Sequence, residues 1–157
     1  MTNNDILRRL RYTFSLNDTK MMLMFKHVGS IATREQISAW LKKDDDPDLV
    51  DMTDAKLALF LDGFIVENRG VNENSRTVSD GKISNNIVLR KLKIAMKLEA
   101  EDMIGILRLS DFTISKHELS AFFRRYDHKH YRRCNDQLLR RFLNGLQKKY
   151  HRGEIKD

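Results

Sequence analysis

The segment TREQISAWLKK at Thr33–Lys43 returns as SKHELSAFFRR at Ser115–Arg125, every residue 82 positions beyond its counterpart. A repeat at fixed spacing restricts the fold strongly, because both copies must take up one local structure and bury an equivalent face. Residues 3–71 laid over 85–153 need no insertion and share about 15 identities. Asn3-Asn4 falls on Asn85-Asn86, Leu7-Arg8 on Leu89-Arg90, Leu10 on Leu92 and Leu16 on Leu98. Further along, Asp54 meets Asp136, Leu57 meets Leu139, and Phe60-Leu61-Asp62-Gly63 meets Phe142-Leu143-Asn144-Gly145.

Each copy predicts four helices. The first follows the Asn pair, read as an N-cap, and lines up Ile6, Leu7, Leu10 and Phe14. The second runs over about Asp18–Val28 with Gly29 as its stop, and over about Ala100–Leu109 in the second copy. Thr33-x-x-Gln36 and Ser115-x-x-Glu118 are capping boxes that start the third helix, with Ile37, Leu41, Leu119, Phe122 and Phe123 inward. The fourth starts near Thr53 or Asn135 and carries Leu57, Phe60, Leu61 and Phe64, or Leu139, Phe142, Leu143 and Leu146, at the spacing of a buried stripe. Gly63 and Gly145 within it predict a close approach by a neighbouring helix, since glycine there otherwise costs about 1 kcal/mol relative to alanine.

The expected fold is therefore all-α, a tandem duplication of a four-helix unit. Residues 1–70 form the first repeat, 71–84 a polar linker and 85–153 a second repeat with a basic surface. A unit of about 65 residues is near the lower limit for an independent core, which predicts that the copies dock with approximate pseudo-twofold symmetry. The fourth helices differ on their outer faces. Ala58, Leu59 and Val66 in the first become Arg140, Arg141 and Lys148 in the second, so Leu59 and Val66 mark a face to be covered by the other repeat or by a second copy of the chain.

The N-N-x-x-L-R-x-L openings at Asn3–Leu10 and Asn85–Leu92, the S-A-[WF]-[LF]-[KR] core of the third helix and the F-L-x-G-[FL] pattern at Phe60–Phe64 and Phe142–Leu146 resemble the YehS-like family of small bacterial proteins. Members carry a duplicated domain, and the resemblance spans essentially the whole chain. It implies a duplicated helical fold in the bacterial cytoplasm and transfers no catalytic residue.

The net charge of +7 is unevenly distributed. Residues 1–80 carry 11 cations against 13 anions, whereas residues 81–157 carry 18 against 9. The contrast is sharpest after the third helix. KKDDDPDLVD at Lys42–Asp51 sums to −3, and RRYDHKHYRR at Arg124–Arg133 to +4. Guanidinium groups bind phosphate and exposed aromatic rings stack on unpaired bases. Arg124, Arg125, Tyr126, Lys129, Tyr131, Arg132 and Arg133 are therefore the candidate contacts for RNA or another single-stranded nucleic acid, extended along the next helix by Arg140, Arg141, Lys148 and Lys149. The alternative is an adaptor or self-associating scaffold in which the acidic loop, through Asp44, Asp45, Asp46 and Asp48, meets a protein partner or the basic loop of another copy. A helix-turn-helix reader is disfavoured, because Gly29 is replaced by Asp111 in the second copy.

No nucleophile triad, glycine-rich phosphate loop or zinc-protease pattern is present, so an enzyme, a cofactor and a bound metal are not expected. The acidic run lacks the glycine and glutamate of a calcium loop, and His128, His130 and Cys134 are three zinc candidates without a fourth. Cys134 cannot pair internally, and nearby arginines would lower the pKa of an exposed thiol. The longest apolar run, Leu57–Leu61, is too short to span a bilayer, which with the polar N-terminus predicts a soluble cytoplasmic protein without membrane contact.

Overall fold

The computed structural model describes residues 1–70 and 82–153, and no strand occurs among them. Repeat one contains α1 (Asn3–Phe14), α2 (Asp18–His27), α3 (Arg34–Trp40) and α4 (Asp54–Arg69). Repeat two contains α5 (Asn85–Ala95), α6 (Ala100–Leu109), α7 (Lys116–Ser120, continued by a 3₁₀ turn at Ala121–Phe123) and α8 (Asp136–Tyr150). Of the expected linker, residues 71–81 lie outside the described residues. Its last three, 82–84, belong to the structure: the Ile83 amide donates to Asp54 Oδ2 at 3.1 Å, and Ser84 caps α5.

Duplication extends to backbone details that residue identity does not preserve. Ser15 (φ +52°) has its counterpart in Lys97 (φ +55°), and Gly29 (φ +71°) in Asp111 (φ +60°). The turn after α2 uses Gly29 N–H to Lys26 C=O and Ser30 N–H to Phe25 C=O; after α6 it uses Asp111 to Arg108 and Phe112 to Leu107. The left-handed turn thus survives the loss of glycine, because aspartate tolerates that conformation better than most side chains. Thr33 and Ser115 close their capping boxes as expected.

The Asn pairs depart from expectation. Thr2 and Ser84 are the N-caps, while the asparagines sit inside the helices and bind the chain that leads into the fourth helix of the same repeat. Asn3 Nδ2 donates to Met52 C=O and Asp54 Oδ1, and Asn85 Nδ2 to Cys134 C=O and Asp136 Oδ1. These bonds place the starts of α1 and α4, and of α5 and α8, at one end of the molecule. The N-terminal ammonium bonds Asp136 at 2.9 Å at that end, completing the link between repeats.

All four long helices run in the same direction from there. Arg9 meets Asn144, Lys91 meets Asp62, and at the far end Phe14 packs on both Phe64 and Tyr150. α1 packs chiefly on α8 and α5 chiefly on α4, so each repeat lays its first helix on the last helix of the other. This reciprocal exchange is the pseudo-twofold docking. One hydrophobic core, including Leu7, Phe25, Phe60, Leu89, Phe142 and Leu146, runs through both repeats. The apolar face of α4 is largely covered from within: Ala58 and Ile65 are buried, Leu59 is half-buried against the core, and Val66 is half-buried.

Outer helices α2 and α6 rest on α4 and α8 at Gly63 and Gly145. A Cβ at Gly63 would lie 1.8 Å from the Met24 carbonyl oxygen, and one at Gly145 would lie 2.0 Å from that of Ile106. Backbone cannot rotate away as a side chain can. Gly63→Ala and Gly145→Ala should each destabilise by about 2 kcal/mol or more despite alanine's helix preference. Urea denaturation measures this, and a neutral result would show that the helices separate freely.

Candidate nucleic-acid interface

The loop between α7 and α8 is built on Asn86, 5% exposed. Its Nδ2 donates to Phe122 C=O at 3.0 Å and Arg132 C=O at 2.9 Å, while its Oδ1 accepts from Cys134 N–H at 2.8 Å. The Arg132 amide closes the neck on Ala121 C=O. Repeat one uses the same frame: Asn4 bonds Trp40, Val50 and Met52, and Val50 N–H bonds Ala39 C=O. Two loops of opposite charge are thereby held on one scaffold, both at the end where the long helices begin.

Within the basic loop, tight turns shape the tip. His128 N–H donates to Arg125 C=O and Tyr131 N–H to His128 C=O, each at 2.9 Å. Arg124 is half-buried and folded back, with Nη1 donating to His130 C=O at 3.0 Å. Tyr131 is half-buried as well, whereas Tyr126 is 86% exposed. Arg125, Lys129, Arg132 and Arg133 are exposed; Arg125 lies 3.4 Å from Asp127, and the Arg132 guanidinium stands 5.3 Å from the Phe122 ring centre. Beside the neck is a cleft of about 150 Å³ with Phe122 and Leu138 among its walls and Arg132, Arg133 and Gln137 around it.

The α8 cations divide. Arg141 Nη1 donates to Ser110 C=O at 2.7 Å, Ser110 Oγ donates back to Arg141 C=O at 2.7 Å, and Lys148 Nζ donates to Leu109 C=O at 3.0 Å. Both side chains therefore satisfy orphan carbonyls at the end of α6, where positive charge also complements the helix dipole. Arg140 borders a different cleft, with Met1, Asp5, Arg8 and Arg9 across the repeat boundary. Lys149 lies 5.5 Å from its neighbour's ring, Tyr150.

Acidic-loop residues are similarly divided. Arg8 holds Lys42 C=O and Asp44 Oδ1, and Asp46 Oδ1 accepts from Asp48 N–H. Asp45 and Asp48 are exposed. The expectation of a lowered Cys134 pKa is corrected: the thiol is buried, and desolvation with nearby Asp136 pushes it up to about 12. Cys134 is buried whereas His128 and His130 are exposed. Among the described residues no helix is long and apolar enough to cross a membrane. α7 has five residues, less than two turns, which is short for a groove-reading helix.

Asn86 and Asn4 are the organising residues that sequence reasoning assigned to another role. Their recurrence in both copies was visible, but asparagine near a helix start is equally the signature of an N-cap.

A family model described as a protein of unknown function, DUF1456, matches the chain twice, over residues 3–70 and 85–153. The uncharacterized protein YehS of Escherichia coli (strain K12) is 40% identical over 152 residues, 96% of this chain and 97% of its own. No solved structure matches.

Proposed function

The chain belongs to the DUF1456 family of proteins of unknown function, and from that premise we propose that it is a cytoplasmic, non-enzymatic nucleic-acid-binding module acting through its second repeat. The carrying observation is that the Asn86 frame holds a loop whose exposed groups include Arg125, Tyr126, Lys129, Arg132 and Arg133, while the identical frame in repeat one holds aspartates. A fixed backbone lowers the ordering cost of binding, and an exposed tyrosine among cations suits unpaired bases, so RNA or single-stranded DNA is the preferred ligand. Arg141 and Lys148 are left out of the contact set because the end of α6 occupies them.

Fluorescence anisotropy with labelled single-stranded RNA, single-stranded DNA and duplex at about 100 mM salt tests this reading. The triple variant Arg125→Ala, Lys129→Ala, Arg133→Ala should weaken single-strand binding at least about tenfold, with a flatter salt dependence and unchanged stability. Absence of binding to every probe, or an unaffected triple variant, would overturn it.

Self-association is a second reading, favoured by the placement of both loops at one end of the bundle. Asp45 and Asp48 of one copy would face the basic loop of another. Light scattering should then give a mass that falls with salt and with Asp45→Asn, Asp48→Asn. A constant monomer mass would reject it.

A further inference from the structure

The two repeats serve as controls for one another at a second place. In repeat one the groove between α1, the start of α2 and α3 is bridged by Asp18, which lies 3.1 Å from Arg34 Nη1 and 3.6 Å from Arg11 Nη2. The residues at the same places in repeat two are Ala100, Lys116 and Lys93. With alanine in place of the bridging carboxylate, the groove between α5, α6 and α7 forms an open cleft of about 480 Å³.

Its walls are mainly apolar, supplied by Ile94, Ala100, Leu119 and Phe123. Lys93 stands 5.7 Å from the centre of the Phe123 ring, and Arg90 donates to Phe123 C=O at 3.0 Å, so two cations are held beside that wall. Lys116 is on the exposed rim with Glu101 at 3.1 Å, and Glu99 is the carboxylate among the lining residues. Cations therefore exceed anions around an apolar floor. Small-molecule sites are of this kind, typically about 300–1,000 Å³, mostly apolar and with few oriented polar groups.

We propose that this cleft binds a small amphipathic carboxylate, its apolar chain against Ile94, Leu119 and Phe123 and its carboxylate toward Lys93 and Arg90. Charge complementarity selects the anionic head, and the apolar floor selects against small hydrophilic anions. The site is separate from the nucleic-acid proposal and does not depend on it. Repeat one lacks the site because Asp18 pairs with Arg11, the counterpart of Lys93, while Asp5 and Asp44 pair with Arg8, the counterpart of Arg90.

Octanoate and its uncharged counterpart octan-1-ol, titrated into the full chain to about 3 mM and followed by amide chemical shifts, test the assignment. Octanoate should move the amides of Lys93, Ala100 and Leu119 with half-saturation below about 1 mM, and leave those of Arg11, Asp18 and Ile37 in place. Octan-1-ol should bind at least about tenfold more weakly. Ala100→Asp returns the bridging carboxylate at a first-turn position that favours it, and should weaken octanoate binding about tenfold or more while the protein remains folded. Lys93→Gln should act in the same direction. The proposal is overturned if octanoate moves no amide of the cleft, if the alcohol binds equally well, or if both variants bind octanoate as the parent does.

Discussion

Asn86→Ala should lower the stability of the folded chain by about 3 kcal/mol and release the basic loop. Three hydrogen bonds disappear at once, to Phe122 C=O, Arg132 C=O and Cys134 N–H. Each is worth about 1 kcal/mol net, and buried partners left unmade cost more. Asn86→Asp is the diagnostic comparison, since a carboxylate would set negative oxygen against two carbonyl oxygens and should be at least as damaging. Urea denaturation gives the stability, and hydrogen exchange at residues 121–134 reports the loop. The frame account fails if the loss is below about 1 kcal/mol and loop protection is unchanged. Asn4→Ala should destabilise by a similar amount through Trp40, Val50 and Met52, yet leave nucleic-acid binding intact in the folded fraction.

Asp62→Ala should cost about 3 kcal/mol or more through the seam between α4 and α5. Lys91, 2% exposed, meets the half-buried Asp62, and removing the carboxylate weakens the compensation of a desolvated ammonium. Replacing both, as Asp62→Leu with Lys91→Met, should recover most of that loss, because an apolar pair of similar size needs no compensating charge. Thermal unfolding of the single and double variants tests this directly. A double variant no more stable than Asp62→Ala would mean that the seam depends on the pair for more than charge balance. Because α5 belongs to repeat two and α4 to repeat one, the same experiment reports how strongly the repeats depend on each other.

The helices were legible because their causes lie within a few residues. The capping boxes at Thr33 and Ser115 and the stripes of α4 and α8 are local patterns, and Gly63 and Gly145 announced close helix contacts through their cost in a helix. The charge contrast between the two loops was equally visible. Less accessible was the use made of each charge. Nothing local distinguishes Arg141, which ties α8 to Ser110, from Arg133 on the exposed loop. Cys134 illustrates the same gap, since the arginines near it in the chain would lower the pKa of an exposed thiol, and burial instead raises it.

Periodicity and the 82-residue offset were enough to establish an all-α duplicated chain, since helix start, stop and buried stripe depend on residues within about two turns of one another. Direction and partnership required the folded molecule. That the four long helices run the same way, that α1 and α5 cross to the opposite repeat, and that Asn4 and Asn86 hold loops rather than cap helices all depend on groups more than 30 residues apart meeting in space. Such meetings are set by how the whole core is filled, a property that no single segment contains.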